Sequence, residues 1–266
     1  MAGSQGAISS GRRDNITQVD MATGSGTKVP MTNSFPPAEP HDDIEEIFPD
    51  TFMVTGSRAF KPLVTLPRIM VIIRNGEELT LVNAVRLSDE GLAALDTLGT
   101  VKHIIRIGSH GMDNAFYLDR YDAKMWALPG MDHAAGITVD VEMDANTELP
   151  VPGLSLFLFE NTKVAEGALL LDRSGGLAIT CDSVQHWVPS HFLSLAAKLI
   201  TKLMGFQNPA QIGPPWSKKQ TREGISLKPD FERLASLPFK HLVGAHGGLL
   251  RDNAPEHLKA TIARFF

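Results

Sequence analysis

The sequence predicts an α/β protein in which helices cover a mixed sheet, or two sheets packed back to back. Three observations carry that expectation. Apolar runs of strand length recur from Thr51 to Gly244. Two turns, Asn75-Gly76 and Arg173-Ser-Gly-Gly176, join neighbouring strands as hairpins. Capped stretches of helical period lie between and after the strands.

The folded part is expected from His41. A short strand runs Thr51–Thr55 and ends at Gly56. Arg68–Arg74 is almost continuously apolar, as a strand buried on both faces is. Across Asn75-Gly76 its partner is Glu78–Val85. Ser88 then caps a helix with Asp89 and Glu90 in its first turn, Leu92, Leu95 and Leu98 on its apolar side, and Gly99 as its stop. Strands follow at Val101–Ile107, Trp126–Gly130, Ile137–Val141 and Leu154–Phe159, then the hairpin Ala168–Leu171/Leu177–Thr180. Ser194–Met204 is amphipathic and helical, with Leu195, Leu199, Ile200 and Leu203 on one side. Residues 205–224 read as a long irregular loop of the kind that forms lids. Asp230–Leu237 reads as a helix, Lys240–Gly244 as a strand and Ala254–Phe265 as the final helix.

Composition narrows the function classes. The chain has 266 residues, 43% of them hydrophobic, so a full core can be built. A net charge of −5 gives no reason to expect nucleic acid or an anionic membrane as partner. The single cysteine, Cys181, excludes an intramolecular disulfide. No apolar run approaches the roughly 20 residues of a transmembrane helix. A cytoplasmic protein acting on a small-molecule substrate or ligand is the expectation. Residues 1–40, rich in Ser, Gly, Thr and Pro, are expected to be a disordered tail.

The stretch that organises the chain is RIGSHGMDNAFYLDRY, Arg106–Tyr121. A strand stops at a loop carrying His110 and Asp113, and a helix follows. Two later strands end in the same way, LAITCDS at Asp182 and HLVGAHGG at His246. Strand ends that each deliver a His or an Asp point to one shared site.

With these residues in place, the sequence over residues 41–266 resembles the metallo-β-lactamase fold superfamily, and most of all a divergent, uncharacterised branch of it. The resemblance implies an αββα sandwich of two mixed sheets flanked by helices, with its site at one edge and an insertion at about 186–230. The family's first strand ends in Asp; here Asn83 stands there. Its loop His-x-His-x-Asp-His becomes Gly108-Ser109-His110-Gly111-Met112-Asp113, in which only His110 keeps its type and Met112 replaces the Asp. Glu160 or Glu166 stands where another His is expected. Asp182 matches the bridging Asp and His246 the last His.

By resemblance, His110, Asp113, Asp182 and His246 are the metal ligands, and His110, Asp113 and Asp182 the catalytic groups. Two imidazoles and two carboxylates suit one divalent ion, Zn or Fe. The implied activity is hydrolysis of a small ester, amide or phosphoester by metal-activated hydroxide. The alternative is a pseudoenzyme that keeps the fold for ligand or protein binding and holds no catalytic metal. Blander roles exist for the same residues: Asp113 as a helix N-cap, Asp182 as a turn anchor, and Cys181 as a buried strand residue rather than a nucleophile. Arg74, Arg86, Arg106 and Arg120 line an anion pocket or pair at the surface. His186, Trp187 and Trp216 wall a pocket or anchor the insertion. His103 and His257 read as structural.

Overall fold

Alternating apolar residues decide the layering. In the computed structural model, which describes residues 35–206 and 208–266, the strands β1 (Glu45–Phe48), β2 (Thr51–Lys61), β3 (Val64–Asn75) and β4 (Glu78–Val82) form an antiparallel meander. Three parallel strands extend it: β5 (Thr100–Arg106), β6 (Lys124–Ala127) and β7 (Val141–Glu142), making a seven-stranded sheet in chain order. The second sheet has five strands, β8 (Leu154–Leu158), β9 (Gly167–Leu171), β10 (Leu177–Thr180), β13 (His241–Val243) and β14 (Leu249–Leu250). Its order is β14-β13-β10-β9-β8, with β10 and β13 parallel. A two-stranded ribbon pairs β11 (Val184–Gln185) with β12 (Gln211–Ile212).

Ile69, Val71 and Ile73 of β3 meet Leu169, Leu171, Leu177, Ile179 and Val243 between the sheets. The intervening Met70 and Ile72 face α1 (Asp89–Leu98) and α2 (Asn114–Tyr121), packing with Leu92, Leu95 and Tyr117. On the far side of the second sheet, Ala178 and Leu242 pack with α4 (Pro214–Gln220), α5 (Lys228–Ala235) and α6 (Ala254–Phe265). The order helix, sheet, sheet, helix is the αββα sandwich. Every fully buried Ile or Leu in it is worth about 1.5–3 kcal/mol relative to exposure, which is why β3, central in its sheet, is apolar on both faces.

The departures from expectation that bear on the packing are these. The hairpin β2–β3 is longer than its apolar cores suggested and reaches Lys61 and Val64. Residues 137–140 are not strand, because the Asp140 side chain accepts from the Met125 amide (2.7 Å) and leaves only Val141 and Glu142 to pair. The loop 205–224 is not irregular throughout: it supplies β12 and α4, the latter begun by Pro214 and Pro215, whose rings suit a first helical turn. Finally, α3 (Leu195–Leu203) is helical, but Ala197 and Thr201 face inwards and the leucine side faces out.

Of residues 1–40, expected to form a tail, residues 1–34 lie outside the described residues. Within 35–40, Phe35 packs edge-on to Phe116 (5.5 Å), Glu39 pairs with Arg58 (2.7 Å), and Pro40 O accepts from both the amide and the hydroxyl of Ser57 (2.8 Å each).

The C-terminal ends of β4, β5, β10 and β13 meet at one edge, where the sheets are stitched together. Asn83, in the left-handed region at φ 55°, donates from Nδ2 to Thr180 O (2.9 Å). Gly167 N donates to Ile107 O (2.8 Å) and Ile69 N to Ala245 O (2.9 Å). The last loop is closed by a parallel bridge between His186 and Gly247. Gly247 has φ +93°, and any side chain there meets the carbonyl of His186. We therefore expect Gly247→Ala to lower stability by about 1–3 kcal/mol; a urea midpoint equal to that of the wild type would refute this account of the loop.

Candidate metal site

The loop after β5 and the ends of β10 and β13 bring His110, Asp182 and His246 together. Asp182 is the centre. Its Oδ2 accepts from Ser109 Oγ (2.6 Å); its Oδ1 lies 3.1 Å from His110 Nε2, 3.4 Å from His246 Nε2 and 3.3 Å from Gln185 Nε2. Burial alone would raise the Asp182 carboxyl, but His110 bonded to it and the Ser109 hydroxyl hold it below the ordinary carboxylate range. The two imidazoles stand edge to face, 4.8 Å apart.

His246 carries the decisive detail. Its Nδ1 is 2.7 Å from Pro67 O, and a carbonyl only accepts, so Nδ1 holds the proton. Burial, reinforced by His110, pushes its pKa down to about 4, so the ring is neutral near pH 7 and Nε2 is left with a lone pair. That electron-rich nitrogen sits 3.4 Å from the ionised Asp182 oxygen. A cation between them resolves the repulsion. In tetrahedral sites with bonds of about 2.0–2.1 Å, ligand atoms lie about 3.3 Å apart, and the 3.1 and 3.4 Å separations here match that spacing. Metal-ligating histidines usually donate their second ring nitrogen to a carboxylate, a backbone carbonyl or a water, and His246 Nδ1 meets Pro67 O in this way. These residue types suit one divalent ion. The ligand atoms that lie within 4.8 Å of one another are those of His110, Cys181 and Asp182, and His246 Nε2 lies 3.4 Å from Asp182 Oδ1.

Asp113 is placed differently. It occupies the N-cap position of α2 but makes no side-chain cap bond. Its Oδ2 instead accepts from Arg68 Nη1 at 2.7 Å, and Arg68, 4% exposed, donates its Nη2 to Ala84 O (2.9 Å). The structure thus gathers three of the four expected ligands and turns Asp113 to a buried guanidinium.

The remaining candidates separate clearly. Cys181 is fully buried and its thiol is pushed well up by burial and by Asp182 and Glu166, which makes it a poor thiolate nucleophile. Glu160 is at the surface with Arg233 (2.6 Å). Glu166 is 2% exposed behind Gly108, where a side chain on Gly108 would strike Cys181 and Glu166 Oε2 at 2.6–2.7 Å. Position 108 therefore has no room for a histidine. Burial and the Asp182 charge raise the Glu166 carboxyl well above its ordinary value, against the Trp216 indole and the amides of Asp182 and Ser183.

The four arginines do not converge: Arg74 pairs with Asp50, Arg86 stacks on Phe116, Arg106 bonds Gly108 O and Asp132 O, and Arg120 pairs with Asp96. Trp187 stacks on His246 (5.8 Å, 14°), whereas Trp216 lies in the core with Phe159 and Phe231. Sequence reasoning missed Ser109, Gln185 and Arg68. Their partners are 73, 3 and 45 residues away, and only Gln185, three residues after Asp182, had a local signal. A separate groove of about 660 Å³, lined by Glu39, His41, Asp42 and Glu90, lies beside α1 and contains none of these residues.

No family model matches the chain, and no curated protein matches it in sequence. Solved structures do. The chain is similar to FIM-1 from Pseudomonas aeruginosa in its mono-zinc form (TM-score 0.60, 12% identity, 86% of this chain and 97% of that one). It is similar to the metallo-β-lactamase of Hirschia baltica (0.57, 14%, 84% and 97%) and to that of Pontibacter korlensis (0.56, 14%, 83% and 98%). The chain has the metallo-β-lactamase fold. The identity is low enough that this likeness speaks of the fold alone.

Two outcomes test the metallo-β-lactamase-fold site as described. Asp113→Ala strands Arg68 without its ion pair and should cost about 3–5 kcal/mol of stability; a variant as stable as the wild type would refute this account of Asp113. In chelated protein, a carboxyl raised on folding favours the folded state only below its unfolded pKa, so the Glu166 contribution is lost as pH rises above about 4.5. Glu166→Gln should then melt with the wild type near pH 4 and above it at pH 8. Coincident melting at both pH values would show that Glu166 ionises freely.

Proposed function

We propose that the protein is a single-metal hydrolase, with His110, Asp182 and His246 holding one divalent ion, Zn or Fe, and a small polar ester, amide or phosphoester as substrate. The observation that supports it best is the unprotonated His246 Nε2 facing the Asp182 carboxylate at 3.4 Å. Two histidines and one carboxylate are the donor set of catalytic zinc sites and of non-haem iron sites alike. One of the similar structures, FIM-1, was determined in a mono-zinc form.

A bound ion supplies Lewis-acid activation of water and of the scissile group. The chain's own residues supply the rest. Ser109 pins Asp182 Oδ2 and so leaves Oδ1 to the two imidazoles. Gln185 donates to the carboxylate (3.3 Å) and to the Asp182 carbonyl (3.1 Å), and is itself held by Trp187 Nε1 (2.7 Å). Pro67 O fixes the His246 tautomer, and the stacked Trp187 shields that ring from water. Asp113 is committed to Arg68, which leaves Asp182 as the carboxylate facing the two imidazoles.

A second reading has one observation in its favour. Asp182 already receives bonds from Ser109, His110 and Gln185, so its carboxylate is satisfied by protein donors. In that reading the chain is a pseudoenzyme that binds a ligand or protein at this edge.

Elemental analysis of protein purified without chelator, beside a His110→Ala, His246→Ala double variant, separates the two. About one equivalent of metal in the wild type, lost in the variant, is expected. Little metal in either, with both equally stable, would sink the hydrolase.

A further inference from the structure

The outward face of α3 carries large apolar side chains in solvent. Leu195 is 83% exposed, Leu199 60% and Leu203 78%; at the tip of the β2–β3 hairpin Leu63 is 88% and Phe60 67% exposed. These are one surface, because Ser194 Oγ joins them. It donates to Leu63 O (2.9 Å) and accepts from Thr65 N (3.2 Å) on the hairpin, and from Ala197 N (3.2 Å) in the helix. Leaving so many large side chains in water is unfavourable unless something covers them.

The charge around this surface says what. The chain has 30 acidic residues and a net charge of −5, yet residues 51–76 and 183–222 contain no Asp or Glu. These two segments build the hairpin, α3 and its flanks. Lys61 lies at the hairpin tip, and Lys198 and Lys202 follow one another along one side of the leucine stripe. Among the described residues, Glu39 pairs with Arg58 (2.7 Å), Asp42 with His191 (3.1 Å), Asp50 with Arg74 (2.6 Å) and Asp113 with Arg68 (2.7 Å). A short helix with leucines down one face and lysines along its edge has the composition of an interfacial helix.

We propose that this face docks on an anionic phospholipid surface, with the leucines and Phe60 entering the headgroup boundary and the lysines on the lipid charge. A second copy of the chain fits it less well, since a two-fold contact would bring two lysine-edged surfaces together with no Asp or Glu from 51–76 or 183–222 to pair them. Residues 1–34 fit it less well too, having no Leu or aromatic residue and a net positive charge. The whole-chain charge, which alone gives no reason for a membrane partner, conceals this local excess. No helix among the described residues is long and apolar enough to cross a membrane, so the contact is peripheral. It also borders the candidate site, through Phe206 after α3, which packs on Trp187 (5.2 Å), itself stacked on His246.

The test is co-sedimentation of the full chain with phosphatidylcholine vesicles, with and without phosphatidylserine. Binding to the phosphatidylserine vesicles, weakened by salt, is expected. Lys61→Ala with Lys198→Ala should weaken it roughly thirtyfold. Leu199→Asp with Leu203→Asp should abolish it at unchanged thermal stability, since both side chains are in solvent. No binding to phosphatidylserine vesicles, equal binding to phosphatidylcholine alone, or undiminished binding by the Asp variant would each overturn the proposal. So would a dimer in sedimentation velocity that the Asp variant dissolves, which would assign the face to contacts between copies.

Discussion

Everything at the functional edge depends on keeping one carboxylate ionised at the buried end of β10. Burying a charge costs several kcal/mol unless hydrogen bonds and opposite charge offset it. Asp182 obtains that from two directions: Ser109 and His110 from the loop after β5, and Gln185 from its own turn. None of these donors is in place unless the two sheets are closed at this edge. The Asn83–Thr180 bond and the backbone bonds from Gly167 and Ile69 close them. The sandwich and its site are therefore one construction: the core supplies the energy that brings the strand ends together, and the ends place the polar groups.

Local signals in the chain located most elements. Asn75-Gly76 placed the β3–β4 turn, Ser88 the start of α1, where its hydroxyl accepts from Gly91 N, and the final helix was legible to its bounds. Long-range effects were not legible. Periodicity revealed a leucine stripe in α3 but not the direction it faces, because that depends on where the rest of the chain leaves space. The double proline before Trp216 read as loop, although the same rings suit a helix start once Gly213 precedes them. Three of four expected site residues meet. The fourth, Asp113, looked equally suitable by type and position; only Arg68, on a strand 45 residues earlier, explains its direction.

The candidate site and the α3 face differ in how they treat charge. At the site a carboxylate is withdrawn from water and surrounded by donors. On α3 and the hairpin tip the acids are excluded from the sequence itself, while lysines remain at the margins of an apolar stripe. A mean over the chain averages these patterns into a mildly acidic protein.

Ser194 ties helix order to chain history. Its one oxygen serves α3 and, 129 to 131 residues earlier in sequence, Thr65 and Leu63. A nine-residue helix whose apolar side is in water has little to stabilise it alone. The start of α3 and the tip of the hairpin therefore share one hydroxyl, so a change at either is felt at the other.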